Sequence, residues 1–204
     1  MGNLCYRPDA KTSAEPQVCR ETVIGQTTIR VVRGDLAAEK VDVIVNPANS
    51  QLRHVGGVSS NIVHSGGLVI QHESNLHVSK FGNVTPGQIV ETTPGSLPCT
   101  YLFHAVVKPY FDGLTGELES LSSAIRAALE KAKSKKAKCI SMPAVGSGIL
   151  GYPRDLVARV LLEEVQEHCQ NLTTLIEVRV TLSDDLAIRC LEAEFDLRFS
   201  KPAL

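Results

Sequence analysis

The chain has 204 residues, 43% of them hydrophobic and 21% charged, enough for one domain with a full core. A formal net charge of −1 provides no general attraction to duplex nucleic acid or to an anionic membrane surface. Aromatic residues make up 4%, with no tryptophan, so the core must be aliphatic.

Residues 1–20 are polar, contain Pro8 and Pro16, and read as a flexible extension ahead of a single domain at 21–200. Gly2 and Cys5 stand where acyl chains attach in lipidated proteins, but Tyr6 occupies the position where that signal has Ser or Thr, so an unmodified tail is expected. Residues 27–32 (TTIRVV) alternate as a strand does. Residues 41–46 form a nearly continuous apolar run, as in a strand buried on both faces. Residues 58–64 and 68–79 read as short helices around Gly66 and Gly67. Residues 88–92 and 101–107 are strand-like, with the turn cluster Thr93-Pro94-Gly95-Ser96 between them. Over 116–134, Leu118, Leu121, Ile125, Leu129 and Ala132 recur at helical spacing, and the lysines of 133–138 suit the helix C-terminus. A strand at 139–142, a helix over 153–169 opened by Pro153, a strand at 176–182 and a last helix at 184–195 with Ser183 as N-cap complete the order. This alternation implies a three-layer α/β/α sandwich with a mixed, mainly parallel central sheet.

Two glycine-rich stretches, 49–57 (NSQLRHVGG) and 146–151 (GSGILG), each follow a strand. Ligands of such sheets sit beyond the carboxyl ends of the strands. Glycine lets the backbone approach a ligand and aim its N–H groups at an anion, and Gly56-Gly57 leads into a helix start that favours one. A cleft that grips a phosphate-bearing molecule from two sides is therefore expected. Neither stretch is a GxxxxGK[ST] fingerprint.

Other polar positions carry two readings each. Asp35, in Arg33-Gly34-Asp35-Leu36, fits a turn in which the carboxylate caps the next segment. Asn46 and Asn49 offer donors and acceptors for a ribose hydroxyl or for the local backbone. His104, in an apolar strand, reads as a satisfied core histidine rather than a catalytic imidazole. Ser147 lies between two glycines, but a nucleophile elbow needs Gly where Val145 stands, so an anion-loop serine is expected. Cys5, Cys19, Cys99, Cys139, Cys169 and Cys190 form no CxxC and no zinc-ligand spacing; they imply no metal and a reducing compartment, the cytosol or nucleus. No apolar run has transmembrane length, and no secretory signal is present.

In their order, GDL at 34–36, VDVIVNPAN at 41–49, LRHVGGV at 52–58, LPCTYLFHAV at 97–106, PAVGSGILGYP at 143–153 and VTLSDD at 180–185 resemble the macrodomain, the ADP-ribose-binding family, over roughly residues 22–197. The wording is most similar to macrodomains carried by large ADP-ribosyltransferases of the poly-ADP-ribose polymerase type. The resemblance implies that Asp35 accepts the adenine amino group while the Leu36 N–H addresses the ring, and that Asn49 contacts the distal ribose. It implies that Gly56, Gly57 and Val58, with Ser59 adjoining, and Gly146, Ser147, Gly148, Ile149 and Leu150 bind the two phosphates from opposite sides. It implies no cofactor, with ADP-ribose and mono-ADP-ribosylated proteins as partners and a monomer as the working state.

Three departures stand out. Ser59 occupies the position where one class of hydrolases in the family carries a water-activating Asp, and a hydroxyl is a poor base near neutral pH. Leu150 replaces a frequent aromatic, and His104-Ala105-Val106-Val107-Lys108-Pro109 replaces His-Ala-Val-Gly-Pro, which puts Lys108 near the expected cleft floor. Three functions remain open: a reader of ADP-ribose, a hydrolase that removes mono-ADP-ribose from acidic side chains, and an interaction module with a degenerate pocket.

Overall fold

The computed structural model describes residues 16–199. The expected tail and its Gly2 and Cys5 positions lie outside them. In chain order the elements are β1 (Gln17–Ile24), β2 (Thr27–Arg33), a 3-10 turn (Leu36–Ala38), β3 (Val41–Ala48), α1 (Gly57–Gly66), α2 (Val69–Phe81), β4 (Ile89–Thr92), β5 (Cys99–Val106), α3 (Glu117–Ser134), β6 (Cys139–Met142), α4 (Arg154–Gln170), β7 (Glu177–Leu182) and α5 (Asp185–Phe199).

The seven strands form one sheet in the order β1-β2-β7-β6-β3-β5-β4. The run β2-β7-β6-β3-β5 is parallel, and β1 and β4 close the two edges antiparallel. The fold is thus a three-layer α/β/α sandwich on a mixed sheet.

The apolar run of β3 feeds both layers, because successive side chains of a strand point to opposite faces. Val43 and Val45 pack with Phe103 and Ala105 under α3, α4 and α5. Ile44 packs with Leu102, Ile62 and Ile70 under α1 and α2. Farther along that second face, β2 and β7 carry half-buried charge instead: Arg30 pairs with Glu21 and Glu177, and Arg179 with Glu177 at 2.9 Å and Glu39 at 3.0 Å. Among the described residues no helix is long and apolar enough to cross a membrane.

Two sequence expectations are corrected. Residues 17–20 belong to β1 rather than to an extension, and the strand escaped notice because its QVCRETVI pattern is polar and largely exposed. The N-cap of α5 is Asp184, not Ser183: Asp184 Oδ1 accepts from the N–H groups of Leu186 at 2.8 Å and Ala187 at 3.0 Å.

Candidate functional site

Strands β3 and β6 are parallel neighbours, with Val43 opposite Ile140, so the loops that follow them leave the same edge of the sheet. Between these loops and the segments after β2 and β7 lies a cleft of about 850 Å3.

The loop after β3 is built on Asn49. Its Oδ1 accepts from the N–H groups of Gln51 at 3.1 Å and Arg53 at 3.2 Å, and its Nδ2 donates to the Arg53 carbonyl at 2.9 Å. Asn49 therefore organises the backbone, and one amide hydrogen is left without a partner among the described residues. Leu52 is fully buried at φ 50, a left-handed turn that sends Arg53 outward. Gln71 of α2 then clamps both flanks, accepting from the His54 N–H and donating to the Leu52 carbonyl, each at 3.0 Å. Gly56 caps α1 with no side chain over the helix start, so the first N–H groups of α1 open to the cleft. Ser59 Oγ donates to the Gly56 carbonyl at 3.0 Å and fastens that corner.

The loop after β6 turns at Gly146, φ 93, where an added Cβ would lie 2.9 Å from the Tyr152 ring. Ser147 Oγ donates to the Ala144 carbonyl at 2.8 Å, which makes it a loop brace, with no bond to an imidazole or carboxylate among the described residues. The two loops meet: a Cβ on Gly56 would lie 2.6 Å from Ile149 Cδ1.

At the other end, Asp35 N-caps the 3-10 turn. Its Oδ1 accepts from the Ala37 N–H at 3.0 Å and from Asn61 Nδ2 of α1 at 2.8 Å. Leu36 opens the turn, where a backbone N–H has no partner within the turn.

The structure brings Asp35, Leu36, Asn49, Gly56, Gly57, Val58, Ser59, Gly146, Ser147, Gly148, Ile149 and Leu150 to this one cleft, whereas Asn46, read from the sequence as a partner for a ribose hydroxyl, is not on its wall. Lys108 is not on its wall; its ammonium bonds Thr115. Sequence reasoning missed Arg53, Val55, Asn61, Arg154 and Asp184, which also line the cleft. Arg154 is held by Asp184 at 3.0 Å. Its place directly after the second glycine loop, at the start of α4, was the one available signal. Among the described residues, no aromatic ring is on the wall.

Beneath the first loop lies a buried polar cluster. Asn46 Nδ2 reaches His104 Nδ1 at 2.9 Å and His54 Nδ1 at 3.2 Å, while the two rings stack at 4.7 Å. One amide NH2 supplies both hydrogens, so each Nδ1 accepts and each Nε2 keeps its proton. Those protons go to Ser74 Oγ at 3.0 Å and Thr92 Oγ1 at 2.8 Å. This orientation leaves only Asn46 Oδ1 without a partner, whereas the flipped amide would bury an unpaired NH2. Burial lowers the His54 pKa to about 4 and drives that of His104 well below its ordinary value, so both rings are neutral. Asn46 and His104 are fully buried and hold the loop from below, out of reach of any ligand. Burial also pushes the Cys99 thiol up to about 11 and the Cys139 thiol to about 12, which makes both poor nucleophiles.

A family model described as Macro domain matches residues 45–161. An uncharacterized protein of Sulfurisphaera tokodaii is 37% identical over 173 residues, covering 85% of this chain and 93% of that protein. An uncharacterized protein of Thermotoga maritima is 39% identical over 83% of this chain, but the match spans 28% of that longer protein. The chain belongs to the macro domain family. Among solved structures, the Oceanobacillus iheyensis macrodomain with ADP superposes with a TM-score of 0.85 at 25% identity, over 90% of this chain and 97% of that one. A mutant of the same domain with ADPR superposes equally, TM-score 0.85 at 25% identity, over 89% of this chain and 99% of that one.

Proposed function

We propose that this macro domain binds ADP-ribose, free or attached to protein side chains, and acts as a reader. One observation carries this reading: two glycine-rich loops line a single cleft from opposite sides, touching at Gly56 and Ile149, with a carboxylate at one end. Asp35 Oδ1 is occupied by Ala37 and Asn61, so Oδ2 is the oxygen available to an adenine amino group. From β2 to β3 the sheet crosses three strand spacings, roughly 14 Å, which suits an extended nucleoside diphosphate sugar running from Asp35 to Asn49. The pyrophosphate then lies between the start of α1 and the 146–151 loop, held by neutral N–H donors. The ADP and ADPR in the Oceanobacillus iheyensis structures support the same ligand class.

The choice of reader over hydrolase rests on Ser59. Its hydroxyl is spent on the Gly56 carbonyl and, among the described residues, has no carboxylate or imidazole partner to make it a base. From the motif wording we also place the domain with those of the poly-ADP-ribose polymerase type, acting as a monomer on mono-ADP-ribosylated proteins in the cytosol or nucleus. The free thiols fit a reducing compartment.

Calorimetry with ADP-ribose tests the binding, and absence of heat at millimolar ligand refutes it. Incubation with a protein mono-ADP-ribosylated on acidic side chains tests the reader assignment. The label is expected to persist with wild type; its release makes the domain a hydrolase, through Ser59 if Ser59→Ala abolishes the release and without it if the release survives.

A further inference from the structure

The proposed pose leaves one charged group on the cleft wall without a role. Arg53 is exposed, lines the cleft, and has no carboxylate partner among the described residues. The other arginine of the wall, Arg154, is already neutralised by Asp184. The backbone of Arg53 is nonetheless fixed from three directions: Asn49 bonds its N–H and its carbonyl, the left-handed Leu52 precedes it, and Gln71 clamps the residues on either side. A stiff loop thus presents a free guanidinium, with less conformational freedom to lose on binding than a mobile one.

Its location gives it a task. Arg53 follows Asn49 at the end of the cleft away from Asp35. If the cleft holds ADP-ribose as proposed, on which this step rests, that is the end where the distal ribose lies and where a carrier polypeptide is joined to it. Val55 and Ile149, 82% and 79% exposed, line the same cleft and give a peptide chain apolar surface to lie on. A guanidinium fork matches a carboxylate in charge and geometry.

We propose that Arg53 reads a carboxylate side chain of the carrier protein next to the ADP-ribosylated residue, so that the domain prefers modification sites in acidic sequence. The nucleotide sets the basal affinity, and Arg53 adds discrimination among carriers.

The test uses three ligands: free ADP-ribose, a peptide ADP-ribosylated on one serine flanked by glutamates, and the same peptide flanked by glutamines. Calorimetry compares wild type, Arg53→Ala and Arg53→Lys. Wild type is expected to favour the glutamate peptide about fivefold, the upper range for one solvent-exposed ion pair. That preference should shrink as salt is raised from about 50 to about 300 mM, as screening requires. Arg53→Ala is expected to bind all three ligands within about twofold of wild type's affinity for the glutamine peptide, and Arg53→Lys to keep part of the preference. Equal binding of both peptides by wild type overturns the inference. So does an Arg53→Ala variant that loses free ADP-ribose as strongly as peptide, because Arg53 would then belong to the nucleotide subsite. Failure of wild type to bind free ADP-ribose is separately visible and overturns the functional reading together with this extension of it.

Discussion

Replacing Asp35 by asparagine separates its two jobs. In the native chain Oδ1 caps the 3-10 turn and accepts from Asn61, and Oδ2 has no partner among the described residues. Asparagine is as good an N-cap as aspartate, so its oxygen takes over the Oδ1 contacts and stability changes by less than about 0.5 kcal/mol. The same contacts force its NH2 into the place of Oδ2, where it confronts the adenine amino group donor to donor. A hydrogen bond to a charged acceptor contributes about 1.5–3 kcal/mol, so Asp35→Asn should weaken ADP-ribose binding about 10- to 150-fold. Inosine diphosphate ribose carries a carbonyl where adenine has its amino group. The variant should bind it better than wild type does, reversing the base preference. Calorimetry with both nucleotides and a thermal melt on each protein give the four affinities and the control. A folded Asp35→Asn domain with an unchanged ratio of the two affinities refutes the placement of the base.

The two loop glycines should respond oppositely to alanine. At Gly56 the backbone is extended and the new methyl meets only the flexible end of Ile149, so Gly56→Ala should melt near wild type yet bind ADP-ribose several-fold more weakly as Ile149 is displaced; unchanged affinity would show that the two loops do not share a ligand. At Gly146 the methyl meets the Tyr152 ring at 2.9 Å with φ at 93, so Gly146→Ala should lose about 2–4 kcal/mol in urea unfolding. Acid should also destabilise the fold above the carboxylate range. The native His54 pKa is about 4 against 6.5 in the unfolded chain, so the unfolded state binds more protons between these values. The His54 contribution is complete above pH 6.5 and vanishes as pH falls through 4, about 3 kcal/mol in all and about 2 kcal/mol by pH 5. His104 acts in the same direction. Equal urea stability at about pH 7 and about pH 5 would contradict the neutral-imidazole cluster.

Strands buried on both faces declare themselves. The unbroken apolar run of β3 and the alternation of β2 and β7 are local consequences of burial, and so is the spacing of α3. Edge strand β1 has little to bury, and its polar pattern resembles a loop. The glycine loops were legible because glycine alone readily permits their backbone, as at Gly146. What stayed hidden depends on strand order. Only the pairing of β2 with β7 brings Asp35 alongside Asp184, and only the return of α1 places Asn61 on Asp35. Likewise, nothing in LRHVGG distinguishes Arg53, which faces the cleft, from His54, which is buried against His104. The left-handed Leu52 makes that division, and it is a conformation that leucine rarely adopts.

A cleft wall without aromatic rings among the described residues, in a chain without tryptophan, has a practical corollary. Among the described residues no indole or phenol on that wall stands ready to be quenched by an incoming base, so a titration that follows intrinsic emission has no direct reporter there. A flat trace in such a titration says nothing about occupancy. Heat, a tagged nucleotide or the chemical shifts of the loop amides are the signals that can report it.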